Sequence, residues 1–369
     1  MTRITLYSFI AFAISILSGF VLIPLIMRFC QKKKLYDIPD ERKVHKNNIP
    51  RLGGLSFMPS MVLAFLLALL VMGHNEDRNT IHVSLWACCF LIGLLMIYTM
   101  GIIDDLLGLD AKTKFFVQIV AATLLPLSGL YINHLYGFFG IAEIPFWVGA
   151  CLTVFMIVYI DNSINLIDGI DGLAAGLAFL ALGGFLTCFI HYGLITYCIL
   201  IAGLMGVLVP YLYFNICGDP EKKQKIFMGD SGSLTLGFIL GTLFVKFSMD
   251  NPAIMEFRRG GLMLSITMLL VPMFDVFRVV LTRMYHGRSL FQADKNHLHH
   301  KWLRAGLGQH AALFAILLTA IFFGVINILM VQFLDISLTY SLIIDILLYV
   351  VYNLLLDSYI RHKGEKPFV

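Results

Sequence analysis

Charged side chains are scarce in this sequence. Asp, Glu, Lys and Arg make up 14% of the 369 residues, whereas about a quarter is usual in soluble globular domains. This scarcity excludes an ordinary soluble enzyme, and it excludes a disordered chain, which would be rich in charge and poor in apolar residues. It also excludes a strongly basic surface of the kind that binds nucleic acid.

Paired cysteine motifs are absent as well. The seven cysteines show no CxxC spacing, and most of them lie inside apolar runs. The sequence therefore predicts neither a disulfide framework nor a thiolate zinc site.

Apolar residues dominate instead, at 59% of the chain, and many occur in runs of about 20 residues, enough to cross a bilayer as a helix. The polarity does not alternate as it would in a β-barrel. We therefore predict an all-α polytopic membrane protein, a single integral-membrane domain over residues 1–369 with about eleven transmembrane helices. The predicted spans are 4–27, 52–72, 82–103, 114–133, 146–161, 172–191, 194–214, 231–249, 261–283, 311–333 and 336–357.

Lys and Arg predict the orientation of these spans. With the amino terminus outside and the carboxyl terminus in the cytoplasm, 21 of the 27 basic residues fall on the cytoplasmic side and four fall outside. Short cytoplasmic loops are enriched in Lys and Arg, so this asymmetry favours that orientation. Most carboxylates fall on the same side. We therefore expect an active site built from the cytoplasmic segments 28–54, 101–114, 161–172, 214–233 and 283–310.

The first of these segments is rich in Lys and Arg. Binding of anionic lipid headgroups explains that charge as well as a substrate does. Two prolines and the pair Gly53–Gly54 add backbone that can approach a ligand closely, which favours an anionic substrate.

Two later segments carry clustered carboxylates. Asp104 and Asp105 are adjacent. Such a pair either binds Mg²⁺, or shifts the pKa of one member so that it serves as a base, or is simply a solvated helix end. Asp161, Asn165 and Asp168 are spaced i, i+4, i+7 on one helical face, and Asp171 follows. Polar groups between two apolar runs are costly unless they are paired or bound, so here we expect a ligand site.

Three further positions leave alternatives open. Asp230 opens a predicted span and is either a helix cap or part of a site. Asp275 and Arg278, one helical turn apart, form either an intramembrane ion pair or a functional site.

The histidine-rich segment contains three histidines with several basic neighbours. They are His297, His299 and His300. Zinc is the competing explanation, but neither HExxH nor a cysteine pair accompanies them. The pattern therefore favours an anion site.

Five stretches together resemble the polyprenyl-phosphate N-acetylhexosamine-1-phosphate transferases. They are DIPDERKVHKNNIPRLGG, DDLLGLDAKTKFFVQ, NSINLIDGIDGLAAG, FMGDSGSLTLGF and ADKNHLHH. They occur in the order typical of that family and, with the spans, cover most of the chain. The PRLGG and HLHH forms resemble the WecA/TagO-like branch, which uses UDP-GlcNAc, rather than the phospho-MurNAc-pentapeptide translocases.

This resemblance implies an activity. The expected reaction is the Mg²⁺-dependent transfer of GlcNAc-1-phosphate from a UDP-sugar to undecaprenyl phosphate, with release of UMP, at the start of cell-envelope glycan assembly. Mn²⁺ is the alternative ion. The expected location is a bacterial inner (plasma) membrane, with the site facing the cytoplasm. Expected partners are the UDP-sugar, undecaprenyl phosphate, membrane lipid and, by family analogy, a second copy of the chain as a homodimer.

The resemblance also implies residue roles. Asp104 is expected to deprotonate or orient the lipid phosphate, with Asp105 in support. Asn165 and Asp230 match the metal-binding positions. The expected nucleotide-sugar-binding residues are Lys114, Asp168, Asp171, Asn215, His297, His299 and His300.

Several alternatives stand beside this expectation. The sugar could be GalNAc or phospho-MurNAc-pentapeptide. The lipid phosphate could attack directly, or a carboxylate could first form a covalent intermediate. A secondary transporter is disfavoured, because its substrate site would lie near the middle of the membrane and not at one face.

Overall fold

The structure is a computed structural model that describes residues 2–37, 48–75, 84–252, 255, 257–258, 260–289 and 296–365. Two of the predicted site segments, 28–54 and 283–310, extend beyond these residues, at 38–47 and 290–295. The expectations for those positions lie outside the described part of the chain.

Helices account for most of the described residues. They are α1 (Thr2–Lys33), α2 (Phe57–Asn75), α3 (Leu85–Leu107), α4 (Ala111–Leu127), α5 (Phe146–Ile167), α6 (Leu173–His191), α7 (Ile195–Ile216), α8 (Asp230–Ser248), α9 (Gly261–Met268), α10 (Leu270–Tyr285), α11 (Leu298–Arg304), α12 (Gln309–Ile328) and α13 (Leu338–His362). Two small antiparallel sheets complete the fold. They pair β1 (Tyr36–Asp37) with β2 (Ile49–Pro50), and β3 (His134–Phe138) with β4 (Ile141–Glu143).

The all-α membrane architecture is confirmed, and the described residues contain fewer than eleven helices that could cross a membrane. Among the described residues, nine helices are long and apolar enough to cross a membrane, and the pair α9 and α10, bent by 75°, would make ten. The predicted span 114–133 corresponds to α4, which has only 17 residues. The apolar run continues past it, but the helix ends just after Pro126 and the chain turns at Gly129, where φ is +88°.

Helix α8 lies at the centre of the fold and positions the site. Every residue from Ser231 to Ser248 is buried, and α5 and α3 flank the helix. A Cβ at Gly237 would lie 2.5 Å from Cα of Asp161 in α5, so only glycine permits this approach. The contact brings the end of α5 beside the start of α8.

Backbone hydrogen bonds attach the first site segment to the start of α8. The amide of Gly53 donates to the carbonyl of Phe227 at 2.8 Å, and that of Gly54 donates to Met228 at 2.8 Å. The amide of Phe227 donates to the carbonyl of Pro50 at 2.7 Å. These bonds place the PRLGG stretch next to Asp230.

Candidate active site

The carboxylate of Asp105 caps helix α8. Its Oδ1 accepts a hydrogen bond from the amide of Asp230 at 2.9 Å, and its Oδ2 accepts one from the amide of Ser231 at 3.0 Å. A carboxylate at a helix N-terminus pairs with otherwise unsatisfied amides and with the positive end of the helix dipole. Arg51 donates to the backbone carbonyl of Asp105. Both carboxylate oxygens of Asp105 therefore serve to fix where α8 begins.

Because Asp105 is the cap, the side chain of Asp230 is available for other partners. Lys114 Nζ lies between two carboxylates, 2.8 Å from Asp230 Oδ2 and 3.0 Å from Asp104 Oδ2. The amide of Leu109 donates to the other oxygen of Asp104 at 2.6 Å. The starts of α4 and α8 and the end of α3 thus meet at one lysine.

The end of α5 completes this cluster. Asn165 Nδ2 donates to Asp230 Oδ1 at 3.1 Å and to Ser233 Oγ at 2.8 Å. Asp161, four residues earlier, is fully buried and accepts a hydrogen bond from Gln118 at 2.9 Å. The residues of the predicted helical face therefore lie in two environments: Asp161 is in the core, and Asn165 lines the site.

Asp168 lies just beyond the end of α5 and lines the site. Burial raises the pKa of its carboxyl to about 7, and the negative charges of Asp230 and Asp171 add to that effect. Asp168 is thus poised to exchange a proton near neutral pH.

Asp171 and Asn215 also border the site, but other residues engage them. Lys225 Nζ lies 2.6 Å from Asp171 Oδ2. The Oδ1 of Asn215 accepts a hydrogen bond from the amide of Gly172 at 2.6 Å, and its Nδ2 donates to the carbonyl of Ile226 at 2.8 Å. Asn215 therefore joins the loop after α5 to the segment that precedes α8.

These residues surround a cavity of about 580 Å³, a volume typical of small-molecule sites. The ionisable side chains that line it are those of Asp37, Arg51, Asp105, Asp168, Asp171, Lys225, Asp230 and His300. The first four predicted segments thus converge with the histidine segment, at the end of the bundle where α3 and α5 end and α8 begins.

The three histidines have different surroundings. His297 Nδ1 lies 2.8 Å from Asp275 Oδ2, and the His299 ring packs on Gly169, where a Cβ would lie 2.1 Å from His299 Nε2. Burial lowers the pKa of His299 to about 3, so this ring is neutral at physiological pH. Of the three, His300 lines the cavity.

Asp275 and Arg278 form the ion pair that the sequence suggested, with Arg278 Nη2 2.8 Å from Asp275 Oδ1. The same Oδ1 accepts a hydrogen bond from the amide of Leu298 at 3.0 Å. Because Asp275 also contacts His297, the pair holds the start of α11 against α10.

The carboxyl-terminal helix holds the other end of α11. Lys301 Nζ lies 2.8 Å from Asp357 Oδ1 and donates to Asn353 Oδ1 at 3.1 Å. Trp302 Nε1 donates to the hydroxyl of Tyr352 at 2.9 Å. Helix α13 thus fixes the position of the histidine segment.

The donor set at Asp230 fits a magnesium ion. Mg²⁺ prefers oxygen ligands and is commonly held by one or two protein groups together with substrate phosphates. Asp230 and Asn165 offer two such groups beside the cavity. Among the described residues, no group of three His, Cys, Asp or Glu side chains converges on one point.

Sequence reasoning did not single out four residues that line the cavity. They are Arg51, Lys225, Ser233 and Gln309. Arg51 belongs to the PRLGG stretch, and Ser233 lies one helical turn after Asp230, so both carried a usable signal. Lys225 and Gln309 carried none, because only the fold brings them to this wall.

The fold and the site define a class: a multi-pass helical membrane protein with a carboxylate-rich cavity at one end of its helices. Comparison with known proteins agrees. The family model for glycosyl transferase family 4 matches residues 87–248. The chain is 30% identical, over 86% of its length and 83% of the relative, to a probable undecaprenyl-phosphate N-acetylglucosaminyl 1-phosphate transferase of Bacillus subtilis (strain 168).

Two further relatives carry similar names. An undecaprenyl-phosphate alpha-N-acetylglucosaminyl 1-phosphate transferase of Yersinia pestis is 28% identical over 80% of this chain and 76% of the relative. A decaprenyl-phosphate N-acetylglucosaminephosphotransferase of Mycobacterium leprae (strain TN) is 31% identical over 78% of this chain and 74% of the relative. The chain therefore belongs to glycosyl transferase family 4.

Proposed function

We propose that this protein transfers GlcNAc-1-phosphate from UDP-GlcNAc to undecaprenyl phosphate and releases UMP. The observation that carries the proposal is the junction of Asp104, Lys114, Asn165 and Asp230, of which Asn165 and Asp230 line the cavity. It combines a metal-binding donor set with cations for phosphate, and the named relatives transfer the same sugar phosphate to prenyl phosphates.

The bond changes set the requirements for the site. An oxygen of the lipid phosphate attacks the β-phosphorus of UDP-GlcNAc and forms a new P–O–P linkage. The bond from that phosphorus to the bridging oxygen breaks, and UMP leaves with the electron pair. Mg²⁺ or Mn²⁺, held by Asp230 and Asn165, would offset the negative charge of the phosphates and of departing UMP.

The chain's own residues bind and orient the reactants. Arg51, Lys225 and His300 line the cavity and suit the phosphates of the donor. Asp104 accepts hydrogen bonds from the Leu109 amide and Lys114 and is our candidate to orient the lipid phosphate or take its proton. Asp105 supports it by positioning α8, and Asp168, Asp171 and Asn215 shape the nucleotide side.

The position of the cavity suits two reactants of opposite solubility. Helix ends at one side of a membrane bundle meet both a soluble nucleotide-sugar and the headgroup of a membrane lipid. Together with the Lys and Arg asymmetry, this supports a site that faces the cytoplasm.

A membrane assay with undecaprenyl phosphate and UDP-[¹⁴C]GlcNAc, with and without Mg²⁺, tests the proposal. We expect lipid labelling that needs the ion and is lost in Asp230→Ala, while Asp219→Ala, at an exposed loop position, stays active. Labelling with UDP-GalNAc or UDP-MurNAc-pentapeptide instead would correct the sugar. No labelling from folded protein with any of these donors would refute the enzyme assignment.

Isotope exchange separates the two chemical routes. A covalent sugar-phosphate intermediate on a carboxylate would let labelled UMP enter UDP-GlcNAc without any lipid acceptor. Direct attack requires the acceptor, so no exchange should occur in its absence.

A further inference from the structure

Lys114 already contacts the carboxylate that is proposed to bind the divalent ion. Its Nζ is 2.8 Å from Asp230 Oδ2, while Asn165 Nδ2 donates to Asp230 Oδ1 at 3.1 Å. Both oxygens of the one carboxylate in the metal-binding set are therefore already engaged by donors. Each oxygen keeps a second lone pair, so charge and not the number of acceptor sites decides which donor an ion would displace.

Electrostatics identifies Lys114 as the donor that must give way. An ammonium and a divalent ion on the same carboxylate oxygen would lie about 4 Å apart and repel each other strongly. Asn165 can stay, because rotation of its amide would replace Nδ2 by Oδ1 as a ligand. Lys114 has a second carboxylate to retain, Asp104 Oδ2 at 3.0 Å.

We infer that Lys114 is a displaceable cation that competes with the divalent ion for Asp230. Lys114 neutralises Asp104 and Asp230 and holds them together. Entry of the ion displaces it from Asp230 but leaves it on Asp104, where the freed ammonium faces the incoming phosphate. This role deepens the proposed function and rests on it, because it presupposes the metal site at Asp230.

Geometry makes the exchange feasible. Lys114 and Asp230 are about a quarter exposed, 26% and 27% of their side chains, so the lysine can swing without opening the core. Lys112, one half-turn earlier on α4, is exposed to solvent. It offers a matched control for loss of a nearby positive charge.

Mn²⁺ titration without substrates, followed by water-proton relaxation, tests the inference on purified full-length protein. Subtraction of the Asp230→Ala titration isolates the site. We expect Lys114→Gln to tighten Mn²⁺ binding about tenfold or more, because a positive charge on the ligand oxygen is lost. Lys114→Arg and Lys112→Gln should stay within about threefold of the parent, since the first keeps the charge on the carboxylate and the second removes a screened one.

Unchanged or weaker binding by Lys114→Gln, with the parent binding Mn²⁺ at Asp230, would overturn the displacement role and leave the proposed function standing. No Asp230-dependent binding by the parent, with UDP-GlcNAc present as well as absent, would instead refute the metal site itself. A second measurement needs no variant. Mg²⁺ should speed amine labelling of Lys114 several-fold in the parent, with Lys112 as internal reference, and slower or equal labelling would contradict displacement.

Discussion

Asp105 is expected to act through helix α8 and not through the reacting phosphates. Asp105→Asn keeps the shape of the side chain but removes its charge, and one of its two acceptor positions becomes an amide that cannot pair with a backbone N–H. The lost bond is a hydrogen bond to a charged group, worth about 1.5–3 kcal/mol. Asp105 is only 5% exposed, so water cannot replace that bond.

This energy should appear as local opening at the start of α8. A loss of about 1.5–3 kcal/mol corresponds to amide exchange roughly ten- to 150-fold faster in that turn, which hydrogen-exchange mass spectrometry of residues 228–236 can measure. Asp104→Asn is the matched control. It removes one ion pair with Lys114 but no cap, and its exchange there should match the parent.

Activity should fall in both variants, but for different reasons. Asp105→Asn should lose activity in proportion to the opening of α8, because the position of Asp230 depends on the cap. Parent-like exchange at 228–236 in an inactive Asp105→Asn protein would refute this reasoning and place Asp105 in the chemistry itself.

Three further predictions concern the cavity wall and the helix that holds the histidine segment. Gly169→Ala puts a Cβ 2.1 Å from His299 Nε2, so the KM for UDP-GlcNAc should rise. In the double variant Gly169→Ala/His299→Ala, the change in binding free energy should be smaller than the sum of the two single changes, because the clash is gone. Asp357→Asn removes the carboxylate that faces Lys301 at 2.8 Å, which should lower the free energy of unfolding by about 1–3 kcal/mol. The variant should raise the KM for UDP-GlcNAc more than it lowers kcat, and parent-like kinetics would contradict this. The raised pKa of Asp168, about 7, means that the folded protein binds more protons than the unfolded chain between about pH 4 and 7, so this group destabilises the fold as pH rises through that window. Asp168→Asn should therefore raise the unfolding temperature relative to the parent at pH 8 and much less at pH 5, and an equal shift at both values would contradict the assigned pKa.

Much of the architecture could be predicted from the sequence, because a bilayer imposes simple rules on it. Apolar runs of about 20 residues locate spans, and nine of the predicted spans correspond to helices of that kind. The remaining two show where the rule is insufficient. Hydropathy alone does not register that α4 ends after Pro126, or that the chain bends by 75° between α9 and α10.

The site was predictable as a set of segments but not as a set of contacts. Periodicity placed Asn165 and Asp168 on one helical face, and the structure brings both to the cavity wall. Nothing in the adjacent pair DD distinguishes its members, yet Asp105 caps α8 while Asp104 pairs with Lys114. That division depends on the angle at which α3 meets α8, which is a tertiary property.

The partners of the histidine segment were the least predictable. The ion pair of Lys301 with Asp357 joins positions 56 residues apart, and no local sequence pattern predicts it. For Asn215 the family resemblance implied a nucleotide contact, and the structure adds two partners that no local pattern predicts, the Gly172 amide and the Ile226 carbonyl. Its predicted nucleotide contact stays a prediction, and the homodimer does too.

The central claim is that a sugar phosphate, and not the sugar alone, moves to the lipid through this cavity. UDP-GlcNAc labelled with ³²P at the β-phosphorus tests it directly when it is incubated with undecaprenyl phosphate, Mg²⁺ and the purified protein. The account predicts that the label enters the lipid and that the released nucleotide is unlabelled UMP. Label recovered in released UDP, with an unlabelled glycolipid, would contradict it.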